Sequence, residues 1–225
     1  ATGVNVTSGS YGGTADIEDV EVPLVLSIDY PRWAVTARIP YLSVHTTDGN
    51  QTSSESGLGD VSASLTVFDV LSDWERGLAL DVTGAVKFGT AEPDKALGTG
   101  ENDTTLYLDG YKFFDRATLL ASVGYRWRGS TPDVPLQNVF LATAGATFRT
   151  GDGALLGMAY DYRESSLEES SDIQELRVFA SLPLGDNWVL EGHAFTGFTD
   201  SSADWGGGIA VATQLRRFGF RAADY

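Results

Sequence analysis

Residues 116–128, RATLLASVGYRWR, alternate between two kinds of side chain. One set is apolar and ends in two aromatic residues: Ala117, Leu119, Ala121, Val123, Tyr125 and Trp127. The other set is mostly small or polar and ends in two arginines: Thr118, Leu120, Ser122, Gly124, Arg126 and Arg128. Because successive side chains of a strand point to opposite faces, this period of two predicts a β-strand. Its apolar face is expected either to pack inside a soluble sandwich or to contact lipid in a transmembrane barrel.

The same alternation recurs along the chain and predicts twelve strands, with no helix and no domain linker. The first strand is expected within 3–11, and the last from 205 to about 218, followed by a tail at 219–225, all in one domain of 1–225. The polar stretch 45–57, HTTDGNQTSSESG, is predicted to be a long loop. Tight turns are expected near Pro31, Ser72, Phe114, Gly151 and Gly185, and long loops near Thr14, Asp48, Glu92, Thr131, Glu168 and Ser201.

The alternation of five tight turns with six long loops distinguishes the two possible folds. Outer-membrane barrels have an even number of strands, short periplasmic turns and longer outer loops, whereas a sandwich has no reason to sort its loops by length. The sequence therefore predicts an all-β, up-and-down antiparallel transmembrane barrel of about twelve strands in a bacterial outer membrane. Lipid and lipopolysaccharide are its expected surroundings. Aromatic side chains expected at the membrane interface are Tyr30, Trp33, Tyr125, Trp127 and Trp188.

Composition narrows the possible partners and chemistry. The chain carries 15 Lys and Arg against 31 Asp and Glu, a formal net charge of −16, which argues against binding nucleic acid. It has no cysteine, so thiol nucleophiles, disulfides and zinc–cysteine sites are excluded. No apolar run reaches the roughly 18 residues of a transmembrane helix, but barrel strands are too short and too alternating to need one.

The polar face of the strands supplies the residues predicted to line a pore. They are Arg38, Asp81, Lys87, Asp109, Arg126, Arg128, Asp161, Arg163, Glu175, Arg177, Glu191 and His193. Their signs are nearly balanced, so most of the excess negative charge is expected in the loops. Charges of opposite sign on neighbouring strands are expected to pair, because an unpaired charge facing a narrow lumen is costly. Arg126 and Arg128, toward the end of their strand, are expected to pair with the acidic loops.

No catalytic, metal or cofactor site is predicted. His193 and Glu191 could form an acid–base pair, but a wall histidine hydrogen-bonded to a lumenal carboxylate is the favoured interpretation. His45 lies near several serines, yet nothing resembles a nucleophile held by a positioned base. The acidic loops 92–103 and 164–172 could bind divalent cations through oxygen ligands. A solvated anionic rim, loosely bridged by the divalent ions of the lipopolysaccharide layer, is the favoured interpretation of these loops.

A set of glycine-rich motifs resembles a known family. The motifs are Gly57-Leu58-Gly59-Asp60, Phe88-Gly89-Thr90, Pro93-Asp94, Leu97-Gly98-Thr99-Gly100, Asp103, Val123-Gly124-Tyr125 and Gly129. Their order and spacing from about 57 to 129 resemble the outer-membrane family called "MetA-pathway of phenol degradation", or simply "transporter".

The resemblance implies a small barrel that passes aromatic or other small organic compounds. The expected function is therefore a channel for passive uptake of small, weakly polar or aromatic solutes. A structural or partner-binding barrel with an occluded lumen is the alternative, and a barrel lipid hydrolase is less favoured. The sequence leaves the solute, any protein partner and the oligomeric state open.

Overall fold

The computed structural model describes residues 1–95, 97–130, 135–168 and 170–213. The described residues form thirteen β-strands and one short 3-10 helix at Pro93–Lys95. The strands are β1 (Thr2–Gly9), β2 (Asp16–Tyr30), β3 (Trp33–Asp48), β4 (Gln51–Leu58), β5 (Ser62–Asp73), β6 (Leu78–Lys87), β7 (Asp103–Phe113), β8 (Ala117–Trp127), β9 (Val139–Arg149), β10 (Leu155–Arg163), β11 (Ile173–Pro183), β12 (Trp188–Gly197) and β13 (Trp205–Thr213). None of the described helical segments has the length and apolarity needed to cross a membrane.

The strands form one closed antiparallel barrel. Apart from β4, each strand pairs with the strands before and after it in the chain, with β3 pairing directly with β5. β1 closes the sheet by pairing with β13, where Asn5 lies opposite Gly208. The short strand β4 pairs only with β3, so it extends the sheet at one end and is not a strand of the closed barrel. The barrel itself has twelve strands, which confirms the predicted twelve-stranded up-and-down barrel.

The apolar faces of the strands point outward. Large apolar side chains are exposed all around the barrel, for example Leu26 at 56%, Ile28 at 63% and Val178 at 52%. The buried apolar residues of the described chain are few and mostly alanines. A sandwich would bury the large side chains and could not tolerate so much exposed apolar surface in water. Such a surface is typical of a membrane barrel, whose outer face is apolar.

The two ends of the barrel differ in their connections. At one end, which we call the short-turn end, strands are joined by two to five residues. At the opposite long-loop end the connections have six to fifteen residues, apart from the two-residue turn between β3 and β4 and the three residues between β4 and β5. The longest connection joins β6 to β7 and includes the 3-10 helix. The length sorting read from the sequence is present in the structure.

The prediction of a loop at 45–57 is wrong. β3 continues to Asp48 and β4 starts at Gln51, so most of this stretch forms a hairpin that projects from the long-loop end. Gly49 has φ +59°, which suits the first position of a two-residue turn. The stretch looks like a loop in sequence because both faces of the hairpin meet water. No apolar alternation is needed there, and Asp48-Gly49 was the one local signal of a turn.

Several predicted boundaries also shift. The first strand ends at Gly9, and Tyr11 has φ +49° in the turn that follows. β13 is described as far as Thr213. The remainder of the predicted last strand, to about 218, and the predicted tail at 219–225 lie outside the described residues.

Candidate functional site in the barrel lumen

All twelve residues predicted to line a pore share the face opposite the outer apolar surface. Asp81 lies opposite Asp109 on β6 and β7, and Asp161 lies opposite Glu175 on β10 and β11. The same inward register holds for Arg38, Lys87, Arg126, Arg163, Arg177, Glu191 and His193, and Arg128 continues it just beyond β8. The lumenal face therefore carries both signs of charge.

Two ion pairs hold long side chains against the lumenal wall. Arg38 donates Nε and Nη2 to Glu21 at 3.1 and 2.6 Å, and Asn5 Nδ2 donates to the same carboxylate at 3.1 Å. Arg177 pairs with Asp161 on the neighbouring strand, and Thr143 Oγ1 also donates to Asp161 at 2.7 Å. These contacts join neighbouring strands in the way the alternating signs predicted.

A buried ionic cluster lies at the long-loop end, which we call the mouth cluster: Asp60, Lys87, Asp103 and Arg128. Lys87 Nζ is 2.8 Å from Asp60 Oδ2 and 3.4 Å from Asp103 Oδ2, and Arg128 Nε is 3.7 Å from Asp103 Oδ2. The two carboxylates are only 8% and 3% exposed. In this shielded position each negative charge needs a nearby positive charge, and the two acids and two bases of the cluster balance one another.

The mouth cluster also pins the long connection between β6 and β7. Lys87 Nζ donates to Thr99 Oγ1 at 2.8 Å, and Ala91 N donates to Asp60 Oδ1 at 3.0 Å. Leu97 of the same connection is 4% exposed and lies against Gly57 on the inner side of β4. The connection is thus packed against the inner wall and does not extend freely from the rim.

The contacts of Asp60 in the mouth cluster also change the pKa of its carboxyl group. Burial by itself would raise the pKa of this carboxyl group. The hydrogen bond from Lys87 and the backbone N–H of Ala91 outweigh burial and hold the pKa of Asp60 below its usual range. Asp60 therefore stays ionised within the cluster.

The motifs that carry the family resemblance meet at this cluster. Thr90 Oγ1 donates to Gly59 O at 3.2 Å and accepts from Val61 N at 2.9 Å. Gly129 N donates to Asp103 Oδ1 at 3.1 Å. The predicted pore residues included Lys87 and Arg128 but missed their partners Asp60 and Asp103. Both partners were visible in the sequence as motif acids, but they precede or begin a strand, so alternation did not place them on the lumenal face.

The two arginines at the end of β8 behave differently. Arg128 contacts Asp103, as expected for a pairing with an acidic loop. Arg126 instead donates Nε to Thr105 Oγ1 at 3.2 Å, and no ion pair joins it to another described residue. The expected pairing of Arg126 is wrong for the described residues, because Thr105 lies directly opposite Arg126 while Asp103 is already held by Lys87 and Arg128.

A cavity of about 450 Å³ lies beside these groups within the lumenal wall. Its charged lining comprises Glu21, Arg38, Asp60, Lys87, Asp103 and Arg126. Pro40, Leu42, Leu97 and Tyr107 give it an apolar side. The cavity has the size typical of small-molecule sites, which combine apolar walls with a few placed polar groups.

The two histidines have no catalytic surroundings in the described structure. His193 stacks on Phe195 with ring centroids 6.5 Å apart, and no hydrogen bond joins it to Glu191. The expected hydrogen bond from His193 to a lumenal carboxylate is wrong for the described residues, and Glu191, two positions away on the same face of the strand, is separated from it by roughly 6.6 Å of backbone rise. His45 lies in the projecting hairpin opposite Ser54. Among the described residues no group of three or more ligating side chains could hold a metal ion.

The predicted interface aromatics are all exposed on the outer face, toward the ends of the barrel. Tyr30 and Trp33 stack at 4.3 Å across the tightest turn, and Trp188 starts β12 at the same short-turn end. Tyr125 and Trp127 contact edge-to-face at 5.1 Å at the long-loop end. This arrangement matches the aromatic girdles of membrane barrels, and the interfacial role of these five residues remains a prediction.

The fold is shared with known outer-membrane barrels. The chain is similar to an outer-membrane channel from Pseudomonas putida F1, with a TM-score of 0.70 and 12% identity over 95% of each chain. It is also similar to the KdgM porin in complex with disordered oligogalacturonate, with a TM-score of 0.61 and 8% identity over 95% of this chain and 99% of the other. The translocator domain of the autotransporter NalP from Neisseria meningitidis gives 0.58 and 10%, over 95% and 86%.

No protein-family model matches the chain, and no curated protein matches it significantly in sequence. The class that the fold defines is the outer-membrane β-barrel. A twelve-stranded barrel with an apolar outer face and a charged inner face fits a protein of the bacterial outer membrane.

Proposed function

We propose that this protein is an outer-membrane channel for passive uptake of small, weakly polar or aromatic organic solutes. The observation that supports this proposal most directly is the cavity of about 450 Å³ on the charged lumenal face, inside a closed barrel of twelve strands. Barrels of about eight strands are filled by side chains, and those of 16 to 18 leave a water-filled pore. Twelve strands lie between, so passage is expected to be limited by size. The fold likeness to a channel and to a porin supports the proposal.

The test compares a small phenol with a large sugar in liposomes containing the purified protein. We expect the phenol to enter faster than in protein-free liposomes, and the large sugar to be retained outside. Equal protein-dependent rates for both compounds would contradict a size-limited channel. No protein-dependent uptake of either compound would contradict channel function altogether.

A structural barrel with an occluded lumen is the second candidate. The packing of Leu97 and the β6–β7 connection against the inner wall favours it, because this connection narrows the long-loop end. Single-channel recording separates the two functions. Discrete conductance steps support the channel, whereas a silent bilayer with correctly folded protein supports the occluded barrel. A barrel hydrolase has no comparable support from the described side chains and would be tested by a lipid-hydrolysis assay.

A further inference from the structure

Five of the six charged groups that line the lumenal cavity take part in ion pairs, and the sixth is a cation. Arg38 is matched by Glu21 in a forked ion pair. Asp60 and Asp103 are matched by Lys87 and Arg128 in the mouth cluster. Arg126 is then the one charged group lining the cavity that has no opposite charge among the described residues. The three acids and three bases of the lining balance, so what Arg126 offers is an ion-pair position that no described carboxylate fills.

Arg126 is also positioned to use that charge. Its Nε donates to Thr105 Oγ1 at 3.2 Å, and Thr105 is only 6% exposed, so the contact orients the guanidinium group. Both terminal nitrogens remain without a hydrogen bond to any described residue. Their parallel N–H groups are suited to bind two oxygens of one carboxylate.

The surroundings of Arg126 favour an anion over a cation. Arg163, on β10, is separated from Gly124 of β8 by the inward Leu141 of β9. The positive charge of Arg163 is repelled by those of Arg126 and Arg128 and attracted by that of Glu175. One carboxylate placed at Arg126 would offset the repulsion among the three arginines, whereas an ammonium group would add to it.

The apolar part of the cavity indicates what the carboxylate is attached to. The ring of Tyr107 lies against Gly124, where an added Cβ would come within 2.5 Å of it. Pro40, Leu42 and Leu97 line the same cavity. A flat ring or a short alkyl chain fits such walls, since aromatic faces and apolar side chains favour it over a hydrated group.

We propose that the lumenal cavity at Arg126 is a binding site for small organic monocarboxylates, aromatic ones in particular. The carboxylate accepts hydrogen bonds from the terminal nitrogens of Arg126, and the apolar part packs between Tyr107 and Leu97. This inference rests on the proposed channel function and gives its solute class. One guanidinium group without an ion-pair partner favours one carboxylate over dianions such as phosphate monoesters, which would leave a negative charge unmatched in the lumen.

The experiment measures binding of benzoate to the purified full-length protein in detergent micelles by titration calorimetry, with empty micelles subtracted. Benzyl alcohol and benzylamine are the neutral and cationic probes with the same ring. We expect benzoate to bind at least about tenfold more tightly than benzyl alcohol, as charge-assisted hydrogen bonds imply. Equal affinities for benzoate and benzyl alcohol in the unmodified protein would overturn the proposal without any variant.

Three variants assign the site. Arg126→Gln is expected to weaken benzoate binding about tenfold or more and to leave benzyl alcohol unchanged. Arg126→Lys keeps the charge but loses the fork, so its benzoate affinity is expected to lie between the two. Arg76→Gln is the matched control, since Arg76 forms an exposed pair with Asp73 at the short-turn end. Benzoate affinity that is unchanged in both Arg126 variants would place any anion site elsewhere.

Liposome uptake of benzoate and benzyl alcohol separates this inference from the proposed function. If benzoate binds through Arg126 but neither compound crosses, the carboxylate site stands and the channel proposal fails. If both compounds cross at equal rates and neither binds preferentially, the channel proposal stands and the carboxylate site fails.

Discussion

At the scale of single residues, the mouth cluster shows how burial changes the value of a charge. Lys87 is the only basic group that forms ion pairs within 4.0 Å with both Asp60 and Asp103 among the described residues. Both carboxylates are almost fully shielded from water. Removing one partner from a buried ionic group leaves an uncompensated charge, whereas a surface pair contributes little. Lys87 and Lys95, which pairs with the exposed Glu92, therefore form a matched comparison.

The first prediction is that Lys87→Met destabilises the barrel and Lys95→Met does not. Loss of Lys87 leaves two buried carboxylates with one weak partner, so the free energy of unfolding is expected to fall by about 3 kcal/mol. Urea unfolding of the protein in lipid vesicles, followed by tryptophan fluorescence, measures the change. Equal urea midpoints for the two variants would contradict a stabilising mouth cluster.

The second prediction concerns pH. The pKa of Asp60 is lowered in the folded protein, chiefly by Lys87 and Ala91 against the opposing effect of burial. The ionised Asp60 therefore contributes fully to stability above the ordinary pKa of an aspartate, about 4. This contribution is lost as the pH falls through the lowered pKa of the folded protein. The urea midpoint is expected to drop below about pH 4 in the unmodified protein, and this part of the drop should be absent in Asp60→Asn. Parallel pH profiles for both proteins would contradict the assignment.

At the scale of elements, the projecting hairpin has a different pattern of apolar and polar residues from the strands of the barrel. β3 alternates apolar and polar residues where it pairs with β5, but from His45 onward both of its faces are polar. β4 is exposed along nearly its whole length. Strands that meet lipid on one face need alternation, whereas a hairpin in water on both faces does not. From this composition we expect the hairpin to lie beyond the membrane.

The third prediction is that the hairpin tip is accessible from outside the cell. An epitope tag inserted between Gly49 and Asn50 is expected to bind antibody on intact cells, because the two-residue turn there is exposed. A tag between Gly185 and Asp186, in a turn at the short-turn end, is the control and should be reached only after the outer membrane is permeabilised. Protease cleavage of intact cells within 164–171 should agree with the first tag. The reverse pattern of accessibility would mean that the barrel is oriented the other way.

At the scale of the whole molecule, the net charge of −16 is distributed unevenly. The lumenal wall is nearly balanced by ion pairs such as Arg38–Glu21 and Arg177–Asp161. Most of the excess acid therefore lies in the connections and the projecting hairpin. A balanced wall with an acidic mouth should discriminate weakly between ions, with the preference set by the field at the mouth.

The fourth prediction is a mild cation preference that increases when Arg126 is removed. In a salt gradient across a bilayer, the reversal potential of the unmodified protein is expected to be small and on the cation side. Arg126→Ala should enlarge it, because the variant loses the one cation of the cavity lining that has no acidic partner among the described residues. Arg76→Ala should leave it unchanged, since Arg76 lies in an exposed turn at the opposite end. Strong anion selectivity in the unmodified protein would contradict the lumenal assignment.

The sequence by itself determined the class of fold, the number of barrel strands and the face that each strand turns inward. Residues 116–128 are sufficient to show why: a period of two assigns every side chain to one of two faces, and lipid on one side requires a continuous apolar face. The same argument located Arg38, Asp109 and Arg177 on the lumenal side. The argument failed at 45–57, because a strand with water on both sides needs no alternation of apolar and polar residues.

Only the tertiary structure decided which lumenal charges meet. Asp60, Lys87, Asp103 and Arg128 belong to four separate parts of the chain, and the stagger between strands, which alternation does not encode, brings them together. The same stagger places Arg126 opposite Thr105 and so leaves it without a carboxylate partner among the described residues. Alternation specifies a face, whereas pairing requires the register between strands, and register is a property of the closed barrel as a whole.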